Sequence, residues 1–104
     1  METLNFCFNS KPLPPAANPA LCGVVGSGNL EILVQPGDDP ASCQVCIKTS
    51  ARGFGDIWQA VLGDFAAGHP AGGTSVAIND MGATPAVVSL RLAQALAEYQ
   101  GGAQ

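Results

Sequence analysis

Asp56-Ile57-Trp58-Gln59-Ala60-Val61-Leu62-Gly63-Asp64-Phe65-Ala66-Ala67 is where the spacing of apolar residues changes from strand-like to helix-like. Ile57, Trp58, Val61, Leu62 and Phe65 fall at i, i+1, i+4, i+5 and i+8, the one-sided stripe of a helix lying on a core. Asp56 and Gln59 have the spacing of a capping box, in which each side chain satisfies a free amide at the helix start. Gly68 is placed to take a left-handed C-terminal conformation and Pro70 to prevent continuation, so the helix is expected to end near Ala67.

Upstream, the apolar residues alternate. Over residues 2–9, Leu4, Phe6 and Phe8 point one way and Thr3, Asn5, Cys7 and Asn9 the other, a half-buried strand. Residues 10–19 carry Lys11 with Pro12, Pro14, Pro15 and Pro19; lost amide donors make this a proline-rich surface connector. A short strand over 21–25 leads into Gly26-Ser27-Gly28. The next strand follows, with Leu30, Ile32 and Val34 on one face and Asn29, Glu31 and Gln35 on the other. Pro36-Gly37-Asp38-Asp39-Pro40 is a turn. Over 41–49, Cys43, Val45 and Ile47 point inward and Gln44, Cys46 and Lys48 outward, and 50–55 is a flexible loop.

Downstream of the helix, residues 74–80 form a strand with Val76 and Ile78 inward, and Met81-Gly82-Ala83 turns the chain. Thr84 caps a second helix and Pro85 suits its first position. Val88, Leu92, Ala95, Leu96 and Tyr99 form its buried stripe, Gly101-Gly102 ends it, and 101–104 is a disordered tail. The order β-β-β-β-α-β-α, with two one-sided helices, predicts an α+β fold: a two-layer sandwich with a mainly antiparallel sheet of about five strands and both helices on one face. The last β-α-β unit can add a parallel pair through a right-handed crossover. The 104 residues are enough for one domain, 1–104.

Charged residues make up 12% of the chain, about half of a typical soluble domain. Two explanations stand: part of the surface is covered by a partner, or the abundant Ala and Gly dilute the charge. Net charge is −4, and Lys11, Lys48, Arg52 and Arg91 are scattered, which leaves nucleic acid no basic footprint. No apolar run approaches the roughly 20 residues needed to span a bilayer, so no membrane association is expected. The start Met1-Glu2-Thr3-Leu4 lacks the features of a signal peptide, which implies a cytoplasmic protein with reduced thiols. Cys43-Gln44-Val45-Cys46 is spaced like a redox or zinc half-site, but strand geometry turns its two cysteines to opposite faces and no second pair completes a metal site.

Ser27, between Gly26 and Gly28, is the residue most suggestive of chemistry. A serine hydrolase needs a base and an orienting acid, yet the chain has one histidine, His69, placed past a helix end as a capping group. The glycine spacing fits neither a dinucleotide nor a phosphate loop, and no helix follows to hold phosphate. Asp38-Asp39 lies in a solvated turn, and Asn79-Asp80 ends a strand and caps a turn. Two readings of Ser27 remain: filler in a hairpin turn, or a site of covalent modification whose flanking glycines leave it unobstructed.

Gly23-Val24-Val25-Gly26-Ser27-Gly28-Asn29-Leu30-Glu31-Ile32 resembles the prosthetic-group attachment segment of the malonate decarboxylase acyl carrier proteins, the delta subunits. The likeness continues through Trp58-Gln59-Ala60, Ile78-Asn79-Asp80-Met81-Gly82-Ala83-Thr84-Pro85 and the helix with Leu90, Arg91, Leu92 and Ala95-Leu96. It implies a non-catalytic carrier subunit with no catalytic or metal-binding residue of its own. Ser27 would carry 2'-(5''-phosphoribosyl)-3'-dephospho-CoA through a phosphodiester, with Gly26 and Gly28 supporting the attachment loop. A holo-ACP synthase (phosphoribosyl-dephospho-CoA transferase) would install this arm from triphosphoribosyl-dephospho-coenzyme A. Its thiol would carry acetyl and malonyl between the acetyl-ACP:malonate transferase (alpha) subunit and the malonyl-ACP decarboxylase (beta and gamma) subunits, with a malonyl transacylase as a further partner. Malonate would leave as acetate and carbon dioxide. Asn29 stands where the resemblance implies an aspartate, and the Asp-Ser-Leu of ordinary acyl carriers is absent. The gamma acyl carrier of citrate lyase and an unmodified binding or scaffold subunit are the alternative readings. Arg52 and Arg91 are candidates for contact with the arm's phosphates or with a partner's acids, or are simply solvated.

Overall fold

The computed structural model describes residues 2–12, 23–27 and 29–99, and the structural statements that follow concern these. The alternating segments pair into one sheet. β1 (Glu2–Asn9), β2 (Gly23–Ser27), β3 (Leu30–Pro36), β4 (Ser42–Thr49) and β5 (Thr74–Asp80) lie in the order β1-β4-β5-β3-β2. β1–β4, β2–β3 and β3–β5 are antiparallel, while β4 and β5, joined through a helix, are parallel. α1 (Gly55–Gly68) packs over β1, α2 (Pro85–Tyr99) packs over β3 and β2, and the two helices pack against each other. The α+β sandwich expected from the sequence is therefore the observed architecture, with both helices on one face.

The register explains why alternation alone builds the core. Leu4–Ile47–Ile78–Ile32 form one row across four strands, and Phe6–Val45–Val76–Val34 form the next. Ile32, Ile47 and Ile78 are at most 1% exposed, and each such side chain contributes about 1.5–3 kcal/mol on burial. Trp58, Leu62, Phe65 and Ala66 of α1 and Val88, Leu92, Ala95, Leu96 and Tyr99 of α2 close the core from above. The opposite sheet face carries Asn5, Cys7, Gln44, Cys46, Ser75 and Ala77. Cys43 is buried under the helices and Cys46 lies on this other face, as strand geometry requires.

Several local expectations are corrected. The Asp56–Gln59 capping box does not form: the amide of Trp58 already donates to the Phe54 carbonyl at 3.0 Å, so the helix starts at Gly55 and no side chain caps it. Asp56 instead sits inside the first turn, where its charge favours the helix dipole. Gly68 is the last helical residue rather than a left-handed cap; His69 leaves in an extended conformation (φ −136°, ψ 141°). Its amide donates to the Phe65 carbonyl at 3.0 Å, and its Nδ1 lies 3.2 Å from the same oxygen. His69 is thus a capping group, stacked on Phe65. Ile57, expected in the buried stripe, is 46% exposed.

The expected connector over 10–19 is tied to the sheet at its start. The Ser10 hydroxyl lies 2.9 Å from the Ala66 carbonyl and 3.0 Å from that of His69, and accepts the amide of Ala71 at 3.0 Å. The amide of Gly72 donates to the Lys11 carbonyl at 2.8 Å, and Pro12 bridges Gly72. The rest of that connector, from residue 13, the strand start at 21–22 and the tail at 101–104 lie outside the described residues.

Candidate functional site

Ser27 is the last residue of β2 and pairs with Leu30, so it belongs to the strand ladder rather than to the turn where the sequence placed it. Gly26 pairs with Glu31 inside the ladder, and Gly28 lies outside the described residues. The register then runs across the whole sheet. Ser27 faces Leu30, Leu30 faces Asp80, Asp80 faces Thr49, and Thr49 faces Glu2. This end row is the edge of the sheet at which both helices begin.

Asp80 fixes the chain there. The residue is 4% exposed; Oδ2 accepts the Thr49 hydroxyl at 2.9 Å, and Oδ1 accepts the amides of Gly82 at 3.2 Å and Ala83 at 2.8 Å. The Thr49 hydroxyl in turn accepts the Ala51 amide at 3.2 Å. One carboxylate therefore organises the departure of the chain from both β4 and β5. Gly82, at φ 109°, takes the left-handed turn that a side chain would resist. The amide of Met81 donates to the Asn29 carbonyl at 2.8 Å, which ties this turn to the hairpin carrying Ser27. Asn79-Asp80 was expected to cap a turn and does; the partnership with Thr49, 31 residues away, has no local sequence signal.

Above Thr49 and Asp80 a cleft of about 230 Å³ opens between the N-terminal ends of the two helices. Phe54, Ile57, Trp58 and Val61 form one wall, and Ala83, Pro85 and Val88 the other. Phe54 and Ile57 are each 46% exposed and stand at the rim. Sequence reasoning assigned Ile57 to the core and so missed the cleft; an apolar residue one position before the buried Trp58 was the available signal.

The residues a hydrolase would need are not gathered here. His69 sits at the opposite end of the sheet, beside Ser10 and Ala71. Asp38 and Asp39 are also remote from the end row: Asp39 accepts the amide of Ala41 at 2.9 Å within its own turn. No group of three or more His, Cys, Asp or Glu among the described residues could hold a metal ion, and no described helix is long and apolar enough to cross a membrane. Arg91 lies on α2, the helix over β2. Its Nη1 donates to Gln94 at 3.0 Å, while its Nε is buried without a hydrogen-bond partner among the described residues. Arg52 lies exposed in the loop after β4.

Comparison with known proteins gives this arrangement a family. Residues 17–99 match the family model of the malonate decarboxylase delta subunit (MdcD). The malonate decarboxylase acyl carrier protein of Burkholderia cepacia is 58% identical over 98 residues, covering 94% of this chain and 90% of its own length. That of Acinetobacter calcoaceticus is 52% identical over 101 residues, covering 97% of this chain and 99% of its own. Among solved structures, a chain in the crystal structure of a Pseudomonas malonate decarboxylase hetero-tetramer in complex with malonate superposes with a TM-score of 0.78 at 35% identity. The match covers 95% of this chain and 99% of that one. The chain belongs to the malonate decarboxylase delta subunit family of acyl carrier proteins, which are carriers rather than catalysts.

Proposed function

We propose that this chain is one acyl-carrier domain, 1–104, that bears a 2'-(5''-phosphoribosyl)-3'-dephospho-CoA arm on Ser27 and serves a cytoplasmic malonate decarboxylase. The observation that carries the reading is the place of Ser27, at the end of an edge strand in a chain from a family of carriers. When bound, the arm would supply a terminal thiol able to hold acetyl or malonyl as a thioester.

The residues present fit such a group. Attachment needs only a primary hydroxyl at an edge that a second enzyme can approach, and β2 is an edge strand. The Ser27 hydroxyl would displace pyrophosphate from triphosphoribosyl-dephospho-coenzyme A, its proton passing to a base of the synthase. The backbone ladder from Ser27 to Asp80 and Thr49 would hold the attachment point still while the arm moves. Arg91, with its unpaired Nε on the helix over β2, is a cation suited to a phosphodiester at that strand. The carrier's contribution to rate would be effective concentration, because a tethered thioester meets successive sites without diffusing away. Those sites would belong to the transferase (alpha) and decarboxylase (beta and gamma) subunits.

The test is the intact mass of protein co-expressed with the arm-synthesis enzymes. The expected result is one added arm mapping to Ser27 and none on Ser27→Ala. An arm on Ser27→Ala, or added mass elsewhere, overturns the assignment.

A further inference from the structure

We propose that the cleft above Thr49 and Asp80 shelters the acetyl-thioester end of the arm in cis and rejects the malonyl-thioester. The inference rests on the reading of Ser27 as the attachment point.

Position comes first. Ser27 and the cleft floor belong to the same end row, with β3 between β2 and β5. Two strand spacings separate them, about 10 Å. The proposed arm, longer than coenzyme A, spans that gap easily and can fold back on its own carrier.

The lining then selects the occupant. Its walls are carbon surface from Phe54, Ile57, Trp58, Val61, Pro85 and Val88. The polar side chains at its base are already engaged: Asp80 accepts three hydrogen bonds, and the Thr49 hydroxyl both donates and accepts. Such a cleft offers burial to a neutral acyl thioester and the methylenes beside it, with few hydrogen bonds to exchange for water. A malonyl thioester keeps one free carboxylate at its end. Entering would strip that charge of water and bring it towards the buried Asp80, with no cation among the cleft's lining residues. The carrier would therefore distinguish its two cargoes: acetyl is folded away from water and stray nucleophiles, and malonyl is left extended for a partner.

Trp58 lines the cleft and is the only tryptophan of the chain, so its emission reports occupancy. The experiment has two arms. In the first, holo-protein is loaded with acetyl or malonyl, and thioester cleavage by hydroxylamine is timed against the same thioester on the free arm. Acetyl should be protected about tenfold, the ratio that roughly two buried methylenes sustain, with a shift in Trp58 emission. Malonyl should react like the free thioester and leave Trp58 unchanged. Equal protection of both, or of neither, overturns the proposal. In the second arm, S-acetyl-N-acetylcysteamine is titrated into protein without the arm. A saturable Trp58 response, lost on filling the cleft with Ala83→Leu or thinning its rim with Ile57→Ser, supports the site independently of attachment. A response in the second arm alongside an arm that never appears on Ser27 overturns the attachment reading and leaves the cleft as a thioester site. An arm on Ser27 with no response in either experiment overturns the cleft.

Discussion

The Thr49 hydroxyl donates to Oδ2 of Asp80 at 2.9 Å across the parallel β4–β5 pair, and both residues are buried. Because Asp80 also accepts the amides of Gly82 and Ala83, this contact joins the exits of two strands and the entry to α2. Thr49→Val keeps the shape and removes the donor, and should lower unfolding free energy by about 1.5–3 kcal/mol, the usual value of a hydrogen bond to a charged group. Asp80→Ala should cost at least as much, since two turn amides also lose their acceptor. Urea denaturation with an unchanged m value reads both effects. A Thr49→Val loss within about 0.5 kcal/mol of zero would remove Asp80 as the anchor of this end, that being the ordinary range for uninvolved positions.

Two glycines near the far end of the molecule should respond oppositely to alanine. Gly68 is helical, and a Cβ there meets nothing within 4 Å, so Gly68→Ala should stabilise by about 0.5–1 kcal/mol through helix propensity. At Gly72 a Cβ would run into the backbone carbonyl oxygen of Pro40, with Ser10 O at 2.7 Å and Lys11 O at 2.9 Å beside it. All three are backbone atoms held by neighbouring strands and turns, so none can swing aside. Gly72→Ala should destabilise by more than about 2 kcal/mol, as overpacking does where relief is blocked. Thermal melts of the two variants side by side should shift up and down respectively.

The contrast between these glycines shows what could be read without the fold. Periodicity was enough for β1, β3, β4 and β5 and for every buried residue of α2, because each row of the sheet repeats the same inward choice, but it ended β2 at Val25 where the ladder runs on to Ser27. It failed at Ile57, because a helix stripe drawn from sequence does not show where the neighbouring helix stops covering it. Gly68 suggested a cap from local signals, yet the ring and amide of His69 satisfy the Phe65 carbonyl instead. Ser27 was visible as a motif, whereas its row through Leu30 to Asp80 and Thr49 depends on strand order, which no local pattern contains.

Cys43 adds a pH dependence. Burial pushes its thiol above the ordinary value of 9.0; the hydrogen bond from Thr74 works against that shift, and nearby Cys7 adds to it. The unfolded chain ionises this thiol at lower pH than the folded one, so it holds fewer protons there and stability falls as pH rises. The contribution is complete below pH 9.0 and is lost progressively as pH climbs towards the higher folded value. Cys43→Ala should flatten the alkaline part of a stability–pH curve while lowering its plateau, because the side chain is 1% exposed and leaves a cavity. An alkaline slope identical in both proteins would assign the loss to other groups.

Arg91 permits a test that separates folding from attachment. Its Nε is buried without a hydrogen-bond partner among the described residues, a cost to folding, while Nη1 is held by Gln94. Helical side chains lean towards the helix N-terminus, and α2 begins at the end row that contains Ser27. α2 packs over β2, so Arg91 is a cation on the helix next to the strand that ends in Ser27. Arg91→Met keeps the apolar stem and deletes the buried donor, so stability should hold or rise by about 1 kcal/mol. If Arg91 steadies a phosphodiester on Ser27, transfer of the arm should nevertheless slow several-fold. Arg91→Lys should recover only part of the rate, because an ammonium cannot offer the paired donors of a guanidinium. Rates would be followed by intact mass at equal concentrations of synthase and of triphosphoribosyl-dephospho-coenzyme A. Unchanged transfer in Arg91→Met, with stability preserved, would assign the arginine to the protein surface rather than to the arm.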